Sequence, residues 1–196
     1  MKSRIAAIIC LLILMALIPA AVVGMSGNNV KMTSSTPDTA VKSDDKSQTV
    51  INTAVSLCGK DFCDEALKAA LIIAESNYFS GTKMKTNDNS SDKELYNRVE
   101  QIYNSNNEIY FTYNEKAVYI PCSPCSNGKT VKSDKYEYLS SVASPWDIDC
   151  ASYSIDNKCE GVSIYGVNYL CEKGYSAEET LEYYLPKLKI VDKRIN

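Results

Sequence analysis

The apolar residues of this chain fall into three patterns. An unbroken apolar run extends from Ile5 to Val23. From Asp64 to Phe79, apolar residues recur every three to four positions, which predicts a helix with one broad buried face. From Glu108 to Tyr113 and from Lys116 to Ile120, the pattern is that of two strands, and Asn114-Glu115 between them predicts a tight turn.

Further helices are predicted on both sides of this hairpin. Two of them cover about Thr49 to Leu57 and Lys93 to Tyr103. A last helix begins at a capping box formed by Ser176 and Glu179, and Pro186 ends it. Because helices and strands do not alternate in βαβ units, the predicted fold class is α+β.

The N-terminal run predicts a targeting segment. Lys2 and Arg4 precede it, which keeps that end in the cytoplasm and places the rest of the chain outside. The run is long enough to cross a hydrocarbon core of ~30 Å, so residues 1–24 form either a single-pass membrane anchor or a cleaved signal of a secreted protein. Residues 25–47 are polar and predict a flexible linker, and residues 48–192 predict one globular domain.

Composition excludes several kinds of function. The net charge of −3 offers no basic field for phosphates, so we expect no nucleic-acid partner. The chain has no histidine, which excludes Ser-His-Asp and Cys-His mechanisms and histidine-ligated metals. Its 14 tyrosines suit half-buried sheets or grooves that bind sugars.

Seven cysteines follow the apolar run, and an odd number leaves at least one thiol unpaired or bonded to another chain. The Cys58/Cys63 and Cys122/Cys125 spacings are compatible with zinc or with disulfides. Cys150 and Cys159 are spaced for a separate disulfide across a loop.

Several motifs, in order, resemble those of the bacterial stage II sporulation protein D (SpoIID)/LytB family. The string CDEALKAALIIAESNYF (63–79) resembles the family's helical signature, and YLSSVASPWD (138–147) resembles its Tyr-Leu…Ser-Pro-x-Asp stretch. CSNGKT (125–130) is similar to its Ser-Gly-Gly-x-Thr loop, and residues 161–190 are similar to its C-terminal motif. The resemblance covers residues 50–190, nearly the whole domain.

The resemblance implies an extracytoplasmic cell-wall protein of sporulation type that acts on peptidoglycan glycan strands. Enzymes of this family are lytic transglycosylases that cut strands already stripped of stem peptides, and LytB-like relatives are described as amidase enhancers. A cell-wall amidase or an engulfment partner is therefore a second expected partner. The implied substrate-binding residues are Ser126, Asn127, Gly128, Lys129, Thr130 and Tyr165.

The chain departs from the family at the position of the catalytic acid. Leu57 stands where the family has its glutamate, and leucine cannot transfer a proton. Either the groove binds a glycan or a partner without chemistry, or Glu65, Glu75 or Glu160 has become the acid/base, or the alignment slips by a few residues. Glu160 stands nearest to a histidine of the family.

The resemblance also implies that Cys58, Cys63, Cys122 and Cys125 lie together near the groove, as a four-cysteine zinc site or as two disulfides. A third class of function is a small structural protein of the spore envelope, stabilised by zinc or by disulfides.

Overall fold

Helices form the larger part of the regular structure in this computed structural model, which describes residues 40–82, 92–106 and 108–193. The predicted targeting segment and linker residues 25–39 lie outside these ranges. Among the described residues, no helix has both the length and the apolar character needed to cross a bilayer.

Within the described residues, the elements follow each other as five helices, five short strands and one 3-10 turn. In chain order they are α1 (Ala40–Leu57), α2 (Asp64–Phe79), α3 (Lys93–Asn106), β1 (Ile109–Tyr113), β2 (Lys116–Ala117), β3 (Cys122–Ser123), the 3-10 turn (Pro145–Asp149), β4 (Val162–Ser163), α4 (Ile164–Glu172), α5 (Ala177–Tyr184) and β5 (Lys189–Asp192). Helices and sheet strands are mixed, which confirms the α+β class.

Helix α2 lies at the centre of the fold and separates two apolar cores. Its residues from Ala66 to Asn77 are buried, apart from Lys68, so it is covered on nearly all sides rather than along the one broad face that its sequence predicts. On one side, Leu67 and Leu71 pack with α1 and α3. On the other side, Ile72 and Ile73 pack with strand β1 and helices α4 and α5.

Strand β1 is the middle strand of an antiparallel sheet in the order β2-β1-β5. The predicted turn is confirmed: Asn114 and Glu115 have φ angles of 50° and 63°, as a two-residue hairpin loop of type I′ requires. A second, parallel pair joins β3 to β4, with Cys122 opposite Val162.

The sheet is also tied to α2 by polar side chains. Ser76 Oγ accepts a hydrogen bond of 2.8 Å from the amide of Phe111 in β1. Asn77 binds Ile120 twice: its Oδ1 accepts from the Ile120 amide at 2.6 Å, and its Nδ2 donates to the Ile120 carbonyl at 3.0 Å. These bonds explain why β2 ends at Ala117 rather than at the predicted Ile120, because the Ile120 backbone is paired with a helix instead of a strand.

Helix α1 differs most from its prediction. It begins at Ala40, whereas the sequence predicts a start near Thr49 and a linker up to residue 47. Lys46 explains part of the extension, because its ammonium lies 3.4 Å from the Glu75 carboxylate and 4.6 Å from the centre of the Phe79 ring. These contacts with α2 hold a polar segment that has little apolar area of its own to bury.

The last part of the chain contains elements that the sequence pattern did not predict, namely α4, β5 and the 3-10 turn. The predicted capping box of α5 is confirmed, with Ser176 Oγ bound to the Glu179 amide at 3.2 Å and Glu179 Oε2 bound to the Ser176 amide at 2.9 Å.

Candidate functional site

The loop from Ser126 to Thr130 is held by one buried carboxylate, that of Asp147. This side chain is 0% exposed and accepts three hydrogen bonds. Oδ2 accepts from the Ser126 amide at 2.7 Å and from Ser126 Oγ at 2.5 Å, and Oδ1 accepts from Ser163 Oγ at 2.9 Å. Asp147 therefore joins the loop, the 3-10 turn and the start of α4 at one point.

The other end of the loop is held by backbone bonds. The Gly128 carbonyl accepts from the Ser144 amide at 2.7 Å, and the Thr130 amide donates to the Val142 carbonyl at 2.8 Å. Gly128 has a φ of 99°, a conformation that L side chains rarely adopt, and the space beside its Cα is open. The loop from Ser126 to Thr130 is thus fixed at both ends and open at its tip.

The predicted substrate-binding residues divide by exposure. Ser126 and Thr130 are buried and used in the hydrogen bonds that hold the loop. Asn127, Gly128 and Tyr165 are half-buried, and Lys129 is exposed, so only these four can meet a ligand without a rearrangement.

Four tyrosines form a row beside the hairpin, which we call the tyrosine row: Tyr119, Tyr136, Tyr138 and Tyr113. Successive ring centres lie 5.7, 5.5 and 5.5 Å apart, and the rings are tilted against one another. Tyr138 is buried and donates its hydroxyl to the Tyr119 carbonyl at 2.8 Å, whereas the other three are half-buried. The row therefore combines rigid support with partly open ring faces.

Charged groups stand near both ends of the row. Near the Tyr119 end, Lys135 Nζ lies 4.8 Å from the centre of the ring of Tyr136, the second tyrosine of the row. The Glu160 carboxylate, which accepts from Ser133 Oγ at 2.9 Å, is close enough to Lys135 to help raise its pKa, after the larger contribution of Tyr136.

At the other end, Tyr113 lines an open cleft of about 440 Å³. The remaining lining residues are Thr112, Asn114, Glu115, Lys187 and Lys189.

The three candidate acids occupy different settings. Glu65 Oε2 accepts from the Ala177 amide at 2.8 Å, which satisfies the first amide of α5. Glu75 is 1% exposed and ion-paired with Lys46. Glu160 is half-buried and accepts from Ser133 Oγ, which itself accepts from the Tyr136 amide at 3.2 Å, so these bonds connect it to the tyrosine row.

Leu57, at the family's glutamate position, lies between the two apolar cores and packs against both. These apolar surroundings explain why this position tolerates an aliphatic side chain.

Glu75 gives a test of how burial controls a charge. Loss of solvation raises the pKa of Glu75 above its usual 4.5, and the Glu108 amide and the Lys46 ammonium oppose this effect only in part. The folded state therefore holds this proton more tightly than the unfolded state. The resulting stabilisation is complete below about pH 4.5 and is lost as the pH rises through the folded pKa.

We accordingly expect Glu75→Gln to flatten the decline of unfolding free energy above pH 4.5, by about 1.4 kcal/mol for each unit by which the pKa is raised. Urea unfolding at several pH values between 4.5 and 8 measures it. Glu100→Gln, at an exposed position on α3, is the matched control and should run parallel to the unsubstituted protein. Parallel curves for Glu75→Gln as well would contradict the prediction.

The neighbours of the cysteine thiols agree in part with the predicted groups. Burial raises the pKa of Cys58 and, far above its usual value, that of Cys122; Cys63 is a further cause of the rise at Cys58, and Cys159 and Cys58 are further causes at Cys122. Cys58, Cys63 and Cys122 of the predicted four-cysteine cluster are therefore neighbours. Cys125 instead has Cys150 as its cysteine neighbour, which adds to the rise in its pKa caused by burial.

Within the described part of the chain, no group of three or more cysteine, aspartate or glutamate side chains is arranged to hold a metal ion. The four-cysteine zinc site stays a prediction from the sequence.

Two features of the site escaped the sequence analysis. Asp147 belongs to the Ser-Pro-Trp-Asp motif but gave no sign that it would hold the loop. The tyrosine row had one weak signal, the excess of tyrosine over phenylalanine, but not the positions that would come together.

Comparison with protein-family models gives no match. Comparison with curated proteins gives no significant match either. Any function must therefore be argued from the arrangement of the residues and from the sequence resemblance alone.

Proposed function

We propose that this protein is a SpoIID/LytB-like cell-wall protein that binds glycan strands of peptidoglycan along the tyrosine row, on the outer side of the membrane. The observation that carries the proposal is the row itself, four neighbouring tyrosines with tilted rings and with charged groups near both ends. Sugar rings present apolar C–H faces between polar edges, and half-open tyrosine rings flanked by hydrogen-bonding groups complement both.

The loop held by Asp147 supports the same function. Its tip, with the half-buried Gly128 and the exposed Lys129, offers open backbone and an ammonium to a polar polymer. The position of Leu57 between two cores supports a role in binding without the family's own acid. As the family resemblance implies, a cell-wall amidase or an engulfment factor would be recruited to the glycan strand that this protein binds.

The decisive binding experiment uses the full-length protein in mild detergent and amidase-treated sacculi, whose strands carry no stem peptides. We expect the protein to sediment with the sacculi and Tyr136→Ala to bind about tenfold more weakly, which corresponds to about 1.4 kcal/mol. Tyr175→Ala removes an exposed tyrosine outside the row and is the matched control, with unchanged retention expected. Equal retention of both variants, or no retention of the unsubstituted protein, would sink the proposal.

A second candidate function is lytic transglycosylation with Glu160 as acid/base. It is favoured by one observation, the half-buried Glu160 carboxyl held by Ser133 at the end of the row. In that reaction the carboxyl gives its proton to the glycosidic oxygen, the sugar's own 6-hydroxyl attacks C1, and the carboxylate takes the hydroxyl proton. Mass spectrometry of the same sacculi after incubation separates the two functions. A 1,6-anhydro-sugar product that Glu160→Gln abolishes would establish catalysis, whereas binding without product favours the first proposal.

A further inference from the structure

The Cys125 end of the loop is joined to the segment that follows the 3-10 turn by several side-chain bonds. Asn157 Nδ2 donates to Cys125 Sγ at 3.3 Å and to the Ser152 carbonyl at 2.9 Å. Asn127 Nδ2 donates to the Ile155 carbonyl at 3.1 Å. The two stretches of chain therefore lie side by side, although 21 residues separate Ser126 from Asp147, which it binds.

Two thiols meet inside this arrangement. Cys150 is held next to Asp147, because its amide donates to the Asp147 carbonyl at 3.0 Å, and Cys125 precedes Ser126, which binds the same aspartate. Cys150 is also close enough to Cys125 to help raise the pKa of that thiol, after the larger effect of burial. Cys125 is buried and Cys150 is half-buried, so one thiol of the pair can be reached from outside.

Cys159, the partner that the spacing suggested for Cys150, has other neighbours. Its thiol donates to the Glu160 carbonyl at 4.0 Å, and its own carbonyl accepts from the Val131 amide at 2.8 Å. Ser123 in β3 is close enough to this thiol to oppose part of the rise in pKa that burial causes. Cys125 is therefore the better placed partner for Cys150.

We propose that Cys125 and Cys150 form a disulfide that locks the Ser126–Thr130 loop onto the 3-10 turn. The bond would form whatever the loop binds. It pairs Cys150 with Cys125 instead of with Cys159, the partner that the spacing suggested.

The oxidant we assign is a small-molecule or protein disulfide. The Cys150 thiolate attacks one sulfur of that disulfide, forms a mixed disulfide and releases one thiolate. The Cys125 thiolate then attacks Cys150 Sγ, forms the protein disulfide and releases the second thiolate. The two protons from the cysteines pass to the released thiolates, so two protein thiols are oxidised while one external disulfide is reduced to two thiols.

The bond would close a ring of residues 125–150 and restrict the unfolded chain. From loop-closure entropy we expect the melting temperature of the oxidised protein to exceed that of the reduced protein by roughly 5–10 °C. Cys150→Ser, at a half-buried position, should abolish the difference. Cys58→Ser, also at a half-buried position, is the matched control and should preserve it.

Peptide mapping tests the connectivity directly. The full-length protein is equilibrated with glutathione disulfide, its free thiols are alkylated, and it is digested with trypsin without reduction. Cleavage after Lys158 separates Cys150, in peptide 136–158, from Cys159, in peptide 159–173. We expect peptide 136–158 to be linked to peptide 117–129, with fragment ions that place the bond on Cys125 rather than on Cys122. A link between 136–158 and 159–173, a bond on Cys122, or alkylated Cys125 and Cys150 would overturn the proposal.

Discussion

Asp147→Ala should lower the free energy of unfolding by about 3–5 kcal/mol, because it removes the acceptor shared by three hydrogen bonds in a fully buried site. The Ser126 amide, Ser126 Oγ and Ser163 Oγ would all lose a charged partner at once. Ser126 and Ser163 are themselves 0% exposed, so bulk solvent does not reach these donors in the folded protein. Urea or thermal unfolding followed by circular dichroism measures the loss.

The same substitution should release the loop. We therefore expect Asp147→Ala to weaken retention on sacculi by more than Tyr136→Ala does, even under conditions where the variant is folded. Asp149→Ala changes an exposed carboxylate two residues away, in the same 3-10 turn, and should change the unfolding free energy by less than about 0.5 kcal/mol. A loss of less than about 1 kcal/mol for Asp147→Ala would show that the buried carboxylate does not hold the loop.

Sequence reasoning succeeded where structure is set by neighbouring residues. The capping box at Ser176 and Glu179 and the hairpin turn at Asn114-Glu115 depend on bonds that span two to four residues, so the sequence carries them in full. Helix α2 was placed at its correct ends from its apolar period. The apolar period did not predict that α2 is buried on nearly all sides, because this burial comes from two apolar cores to which elements distant in the sequence contribute.

The candidate site depends on contacts between residues that are far apart in the sequence, and the sequence pattern predicts few of these contacts. The tyrosine row brings together residues from the hairpin and from the loop after Ser133, which meet only once the chain has folded. Asp147 acts on Ser126 across 21 residues. A sequence resemblance could name the motifs that contain these residues, but it could not assign them their contacts.

The three glutamates show how much burial and partners decide. From the sequence alone, three glutamates were equivalent candidates for a proton-transferring acid, namely Glu65, Glu75 and Glu160. The structure uses Glu65 to satisfy an amide of α5 and places Glu75 in an ion pair inside the protein. Glu160 is left beside the tyrosine row, and the test of catalysis can therefore be restricted to one carboxyl.

Gly166 offers the sharpest test of packing around α4. A methyl group added to its Cα would clash with the Tyr184 hydroxyl, and it would lie 2.6 Å from Trp146 Nε1 and 2.8 Å from Ser144 Oγ. These three groups form one buried set, in which Tyr184 Oη lies 2.7 Å from Ser144 Oγ and 3.1 Å from Trp146 Nε1. We expect Gly166→Ala to cost about 2–3 kcal/mol of unfolding free energy, because no member of the set can move without losing a hydrogen bond.

A double-mutant cycle with Tyr184→Phe separates this clash from any general effect on the helix. Tyr184→Phe alone should cost about 1 kcal/mol, through the lost bonds to Ser144 and Trp146. In the Gly166→Ala background the same change also removes the atom that the methyl group meets, so the double variant should be more stable than the sum of the two losses predicts, by about 1 kcal/mol. Additive losses would mean that glycine is needed at position 166 for the backbone of α4, and not because Tyr184 lies so close. The expected energetic coupling between Gly166 in α4 and Tyr184 in α5 would then be wrong.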